Sequence, residues 1–534
     1  MGIYLNPPSD GFKAILKRGM YVDKSELIDY TNSVMESDRM LTCFSRPRRF
    51  GKSFSAQLLS AYYSRSADSM SLFENLKIAH DESGGFQEYF NQCDVLFLDI
   101  SSFIAAVEVI EETVSYIQKD VIEELREAFP NCIKEDVRAL SKALLQINGK
   151  TGKKIFIIID EWDALFREAK TNEELQHAYI QLLRSLFKSN QTSQMICGAY
   201  MTGILPIKKY GTQSALTDFC EFTMLDPGPL AEFTGFTEME VRALCEEYGL
   251  DFAEAHRWYD GYYFDKIKHI YNPKSIMEAV INQKFSNYWT QTETYESLKV
   301  YIELNFDGLK DAIIDMIGGR HFKIDTGTFQ NDMTSMRSRD DVFTLLVHLG
   351  YLAYDSDKKE VFIPNEEVRE EFLRAIRNGS RQELVRAVKR SDRLLDATLH
   401  MDEDTVADIL EEVHGENTPP INYNNEHALR SVVVMAYLSC MDHYLRIEEL
   451  ASGKGYSGLL FVPGKTSSKP ALVIELKWNK GAERAIMQIK KRSYVQFARQ
   501  FGYEGEILLV GIHYDTRTKK HTCKIEKFVD ATAS

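Results

Sequence analysis

A chain of 534 residues, 44% apolar and 27% charged, is long enough for two or three folded units and has the balance of a globular protein, not of a disordered or membrane-embedded one. Its net charge of −15 makes the whole surface a poor general match for nucleic acid, so any such contact needs a local basic patch. Apolar runs such as 155–159 and 471–474 fall far short of the ~20 residues that span a bilayer. The first residues also lack the basic start and apolar stretch of a signal peptide, so a cytoplasmic protein with no membrane partner is expected.

Residues 1–265 read as the first domain. Short apolar runs at Leu41–Phe44, Val95–Asp99, Ile155–Asp160 and Met195–Tyr200 alternate with amphipathic helical stretches, which predicts a largely parallel sheet with helices on both faces. Within it, Ser45-Arg46-Pro47-Arg48-Arg49-Phe50-Gly51-Lys52-Ser53 follows a strand and precedes a helix. That is the setting of a P-loop, whose backbone N–H groups and helix N-terminus hold phosphates. Lys52 would reach the β- and γ-phosphates, and Ser53 would ligate Mg2+. The motif departs from GxxxxGK[ST] at its first glycine, where this chain has Arg46.

A second element supports the first. The run Ile155–Asp160 ends in Asp160 and Glu161, a Walker B pattern in which Asp160 would hold Mg2+ and Glu161 would polarise the attacking water. The plainer reading is that Asp160, Glu161 and Asp163 cap the following helix. Thr202, at the end of another apolar strand, is a candidate γ-phosphate sensor or an ordinary strand-ending residue.

Residues 266–415 are dominated by helical periodicity, as at Glu366–Arg377 and Arg381–Leu395. A helix-like Val342–Gly350 followed by two short strands across Asp355–Glu360 resembles a small winged-helix unit, which most often packs domains together. Residues 416–534 read as helix, strand, strand, helix, strand: Glu426–Leu445, Gly458–Val462, Ala471–Lys477, Ala482–Gln500 and Glu506–His513. Strand periodicity puts Glu475 and Lys477 on one face, the ExK half of a nuclease site in which the carboxylate ligates a metal and the lysine positions water. On a solvated strand the same alternation would carry no chemistry. The helix that follows carries Lys480, Arg484, Lys490, Lys491 and Arg492, a surface for a phosphate backbone of DNA or RNA or simply a solvated helix face.

The sequence resembles bacterial AAA-ATPase-like proteins fused to a PD-(D/E)XK nuclease domain. The resemblance rests on Tyr21-Val22-Asp23-Lys24-Ser25, the arginine-rich loop at 45–53, Ile159-Asp160-Glu161 and Thr202-Gly203. It continues through Trp258-Tyr259-Asp260-Gly261-Tyr262, Tyr271-Asn272-Pro273-Lys274-Ser275 and Leu349-Gly350-Tyr351-Leu352. It implies ATP and Mg2+ as cofactors, held by the loop that carries Arg48, Arg49, Gly51, Lys52 and Ser53, with hydrolysis through Asp160 and Glu161. It also makes Arg46 a family trait. In the C-terminal domain it implies a metal-binding aspartate where this chain has Gly458; Glu426, Glu449 and Gln488 match supporting positions without replacing that carboxylate. The expectation is therefore an ATPase coupled to a nuclease-like domain with an incomplete metal site. The alternatives are a nucleotide-dependent switch whose C-terminal module binds nucleic acid or protein without cutting, and a signalling ATPase that assembles into rings or dimers, with Arg46, Arg48 or Arg49 acting across the interface.

Overall fold

The computed structural model describes residues 2–289, 308–417, 444–448, 458–463, 469–491 and 503–528, apart from 66–67, 81–84, 208, 211–212, 215, 332–335 and 378–381, together with isolated positions at 298, 467, 499 and between 429 and 440. The chain divides into two compact units: Met1–Thr292 with His321–Val368, and Glu293–Arg320 with Arg369–Ser534. The helix Arg339–Leu349 and the strands Ala353–Asp355 and Glu360–Phe362, which form the winged-helix-like piece, belong to the first unit.

The first unit is built on five parallel strands, β1 (Leu41–Ser45), β2 (Asp94–Asp99), β3 (Ile155–Asp160), β4 (Ile196–Gly203) and β5 (Cys220–Phe222), in the order β2-β3-β4-β1-β5. Alternation along the strands feeds two separate cores. Leu41, Cys43, Leu96, Leu98, Ile157, Ile159 and Met201 face one, which is closed by the helices Thr113–Ala128, Leu140–Thr151 and Glu173–Phe187. Phe44, Val95, Phe156, Ile158 and Tyr200 face the other, closed by Asp10–Leu16, Leu27–Val34 and Lys52–Tyr63. A sheet buried on both faces must be apolar at nearly every position, which is why these strands read as unbroken apolar runs.

Because all five strands are parallel, their C-terminal ends share one edge. There the chain leaves β1 for the far side of the sheet, and ligands of open α/β sheets bind at such switch points. A small antiparallel sheet follows, made of β6 (Phe236–Thr237), β7 (Tyr262–Phe264) and β8 (Ile267–Tyr271), with β8 in the middle.

The second unit carries a mixed five-stranded sheet: β9 (Tyr444–Glu448), β10 (Gly458–Pro463), β11 (Ala471–Trp478), β12 (Ile507–Asp515) and β13 (Lys520–Lys527), paired in chain order. Only β11 and β12 run parallel, joined through the helix Ala482–Lys491. Leu459, Phe461, Leu472, Ile474, Leu508 and Val510 face one core, whereas Leu460, Val462, Val473, Leu509, Ile486 and Ile489 form the other. Two expectations are corrected here. Tyr444 and Leu445 begin a strand instead of ending a helix, and Lys520–Lys527 adds an edge strand. The remainder of the expected helix at 426–443 lies mostly outside the described residues, as does most of 492–500.

Candidate nucleotide site and C-terminal strand pair

The loop after β1 turns on Gly51, whose φ of 92° is left-handed. A side chain would meet nothing within 4 Å there, so glycine is required by the backbone and not by space. From it springs the helix Lys52–Tyr63, with Lys52 and Ser53 in its first turn. Lys52 is buried, and its Nζ donates to the Pro47 carbonyl at 2.8 Å. Burial holds this ammonium below the ordinary lysine value, against the pull of Glu161, Asp160 and Asp163.

Those acids arrive from β3. Neighbouring strands are about 4.8 Å apart, so β1 and β3, with β4 between them, set the loop and Asp160 about 10 Å apart at the strand ends. Thr202 at the end of β4 fills the gap: its hydroxyl donates to Asp160 Oδ1 in a short hydrogen bond. Asp160 and Thr202 are both buried. Glu161 has a left-handed φ of 52° and pairs with Arg167. Arg167 also holds Asp163 at 3.2 Å, and Asp163 in turn accepts the N–H groups of Ile204 and Leu205 at 3.2 and 2.8 Å. Asp163 thus bonds the loop after β4, not the first turn of its own helix, where its side chain makes no capping bond.

A cavity of about 490 Å³ opens over this edge, with Arg48, Arg49, Gly51, Lys52, Ser53 and Glu161 among its lining. Its lining also includes the apolar side chains of Met20, Tyr21, Val22, Phe54, Met277 and Ile281. Such a mixed lining suits a ligand with one polyanionic end and one flat apolar end. Asp160 and Thr202 are not among the residues that line the cavity.

Arg46 takes no part in it. Its side chain is fully buried, stacked on Phe44 and Phe264 at 4.3 and 4.5 Å, and Nη1 donates to the carbonyls of Ser45 and Phe222. Burial pulls its guanidinium down to about 9. An arginine so enclosed is not available to reach across an interface.

In the second unit the register of β10 and β11 sets Gly458 directly opposite Glu475. Glu475 is fully buried and accepts from Lys477 Nζ at 2.7 Å and from Gln488 on the covering helix. Gly458 lies on the same face, in step with Leu460 and Val462. An aspartate there would place its Cβ about 5 Å from that of Glu475. Among the described residues, no trio of His, Cys, Asp or Glu gathers at Glu475. Of the basic helix, Lys490 pairs with Glu526 at 2.5 Å, whereas Arg492, Glu426 and Glu449 lie outside the described residues.

Comparison with known proteins now adds the family. The model described as Predicted AAA-ATPase matches residues 9–212, and that of the PD-(D/E)XK nuclease superfamily matches residues 424–523. This chain is an AAA-ATPase-like protein fused to a PD-(D/E)XK nuclease superfamily domain. No curated protein matches it. No helix among the described residues is long and apolar enough to cross a membrane.

The motifs beyond residue 212 lie outside the AAA-ATPase match, yet within the first unit they close around its loop. Phe50 packs edge-on to Tyr262 at 5.1 Å, Tyr262 Oη donates to the Gly350 carbonyl at 2.7 Å, and a side chain at Gly350 would strike Pro47 at 2.7 Å. Lys24 ties Glu240 and the Glu232 carbonyl, and Asn272 caps the helix that carries Met277 and Ile281. Arg167, Tyr262 and Gly350 carry no chemical signal of their own in the sequence; their signal is a place in a motif or, for Arg167, six residues after the Asp160-Glu161 pair.

Proposed function

We propose that the first unit binds ATP with Mg2+ and hydrolyses it. The observation that carries this reading is one cavity lined together by the turn at Gly51, by Lys52 and Ser53, and by Glu161. In it the triphosphate takes the place of the Pro47 carbonyl on Lys52, and the apolar side chains of the lining receive the base. Arg48 and Arg49 add positive charge at the mouth. The donors offered to a metal are the oxygens of Ser53 and Asp160, a set that suits Mg2+. Held there, Mg2+ would neutralise phosphate charge. Asp160 is oriented by Thr202, and Glu161 orients the attacking water once its carboxylate is shared between Arg167 and that water.

The test is steady-state phosphate release together with binding of a fluorescent ATP analogue. Lys52→Ala loses both. Glu161→Gln keeps binding and loses turnover by at least ~100-fold, the usual scale of a general base. Unchanged turnover in both variants refutes the assignment.

For the C-terminal domain we infer a nucleic-acid-binding role coupled to the nucleotide state, with cleavage impaired. Glu475 faces Gly458, so the donor set does not fit a two-carboxylate metal site, and no catalytic step is assigned to it. Labelled DNA and RNA, with and without ATP, and with Mg2+ or Mn2+, separate the readings: nucleotide-dependent retention without cutting supports it, and metal-dependent cleavage by the unaltered chain overturns it.

A further inference from the structure

In the first unit, two histidines converge on one carboxylate. His256, in the helix Phe252–Tyr259, and Asp260, four residues on at its C-terminal cap, meet His269 of β8. Both ring Nδ1 atoms address the same oxygen: Asp260 Oδ2 lies 2.8 Å from that of His256 and 2.7 Å from that of His269. The other oxygen, Oδ1, is buried and has no hydrogen-bond partner. A carboxylate that is 95% buried, with both donors on one oxygen and none on the other, is badly used as a hydrogen-bond acceptor alone.

We propose that His256, Asp260 and His269 form a binding site for a divalent first-row transition ion, with Zn2+ as the reference metal. The three ligand atoms lie within 4.8 Å of one another. A tetrahedral ion with bonds of about 2.0–2.1 Å needs them about 3.3 Å apart, so each imidazole would move outward by about half an ångström. Both rings are half-exposed and free to do so, and that exposure leaves the fourth position to water.

The surroundings support ligation through Nδ1. Each ring then carries its proton on Nε2, and the Nε2 of His269 faces Glu238 Oε2 at 3.8 Å. A carboxylate behind the far nitrogen of a histidine is the usual device for fixing a metal-binding tautomer. Glu238 is itself held by Arg242 at 2.6 and 2.8 Å. The Tyr271 hydroxyl, 3.2 Å from His256 Nδ1, is the group the ion must displace. The donors are two imidazoles and a carboxylate, which select zinc-like ions over Mg2+ or Ca2+. A metal there would fasten the helix end to β8, which runs on into Asn272 and the pocket-lining Pro273 and Lys274.

The experiment uses the full chain, stripped with chelator and titrated with Zn2+ by calorimetry and with Co2+ by visible absorption. The parent should bind one equivalent that His256→Gln and His269→Gln each lose. Glu238→Gln, a positioning variant, should weaken that equivalent by ~10-fold or more. Repeating the titrations in a His414→Gln background removes any contribution from the Glu411, His414 and His521 group in the second unit. The glutamine variants should melt with the parent in chelator and lack the zinc-induced rise in Tm. Anomalous scattering from zinc-soaked crystals gives an answer independent of any variant, with a peak expected between the two rings. No binding by the parent, equal stoichiometry and Kd in both histidine variants, or a peak elsewhere overturns the proposal.

Discussion

The two domains place a lysine and a carboxylate in similar sheets and arrive at different sites. At the edge of the first sheet, Lys52 and Glu161 share a cavity with room for a ligand, and the neighbouring Asp160 is held by Thr202. In the second sheet, Lys477 bonds Glu475 directly, Gln488 closes on the same oxygen, and the facing position is Gly458. The difference shows that the fold and the site are under separate control. The apolar alternation of β10 and β11 survives a glycine without loss, because a small residue on a buried face does not disturb strand pairing, whereas a metal site loses half its acidic ligands.

The largest effect that sharpens this contrast is on turnover. Lys52→Ala should abolish ATP hydrolysis, while Lys477→Ala should leave it within about twofold, with any loss confined to the second unit. Equal loss of hydrolysis in the two would make the lysines equivalent and break the comparison. Next in size is the buttress behind the loop. Gly261 has a φ of 112°, and a side chain there would lie 2.1 Å from the Pro364 carbonyl oxygen. Gly261→Ala combines backbone strain with overpacking and should cost about 3 kcal/mol or more of stability in denaturant titration. At Gly51, where there is space but a left-handed backbone, alanine should cost about 1 kcal/mol and act mainly on nucleotide affinity. A larger stability loss at Gly51 than at Gly261 would mean that the loop, not its support, holds the first unit together.

Gly458→Asp tests the other half. In the absence of metal it sets two carboxylates face to face on a buried strand pair, which destabilises the sheet. Mn2+ should then raise the Tm of the variant by more than it raises that of the parent, whose response is limited to ions bound elsewhere in the chain, since a ligand that binds only the folded state stabilises it, by about 2.7 kcal/mol at a hundredfold excess over Kd. An equal manganese response in parent and variant would show that the parent already has its ligands.

The architecture was legible because it rests on period. Buried parallel strands appear as apolar runs, and β1, β3 and β4 fall within three residues of their expected ends. What sequence could not supply is neighbourhood. Nothing local says that β4 lies between β1 and β3, and that order is what puts Thr202 on Asp160. The burial of Arg46 was equally hidden, because its two aromatic partners come from positions 44 and 264. Tyr444 and Leu445 read as the end of the helix at Glu426–Leu445 because they follow an apolar stretch, although they open a strand. Lys520–Lys527 escaped notice because an edge strand so rich in lysine carries little apolar alternation.

The smallest effect concerns whether Glu475 and Lys477 still act as a pair. Both are buried, and their charges are 2.7 Å apart. A double-mutant cycle with Glu475→Gln and Lys477→Met isolates their coupling, since each single change leaves the other charge with reduced compensation. The expected coupling is on the order of 1–3 kcal/mol, so the double variant should be more stable than the two single losses added together. Additive losses would mean that Gln488 and the surrounding backbone satisfy Glu475 without the lysine. Lys477 would then be held in place for a ligand outside the pair, and the case for a C-terminal site that has lost its chemistry would weaken.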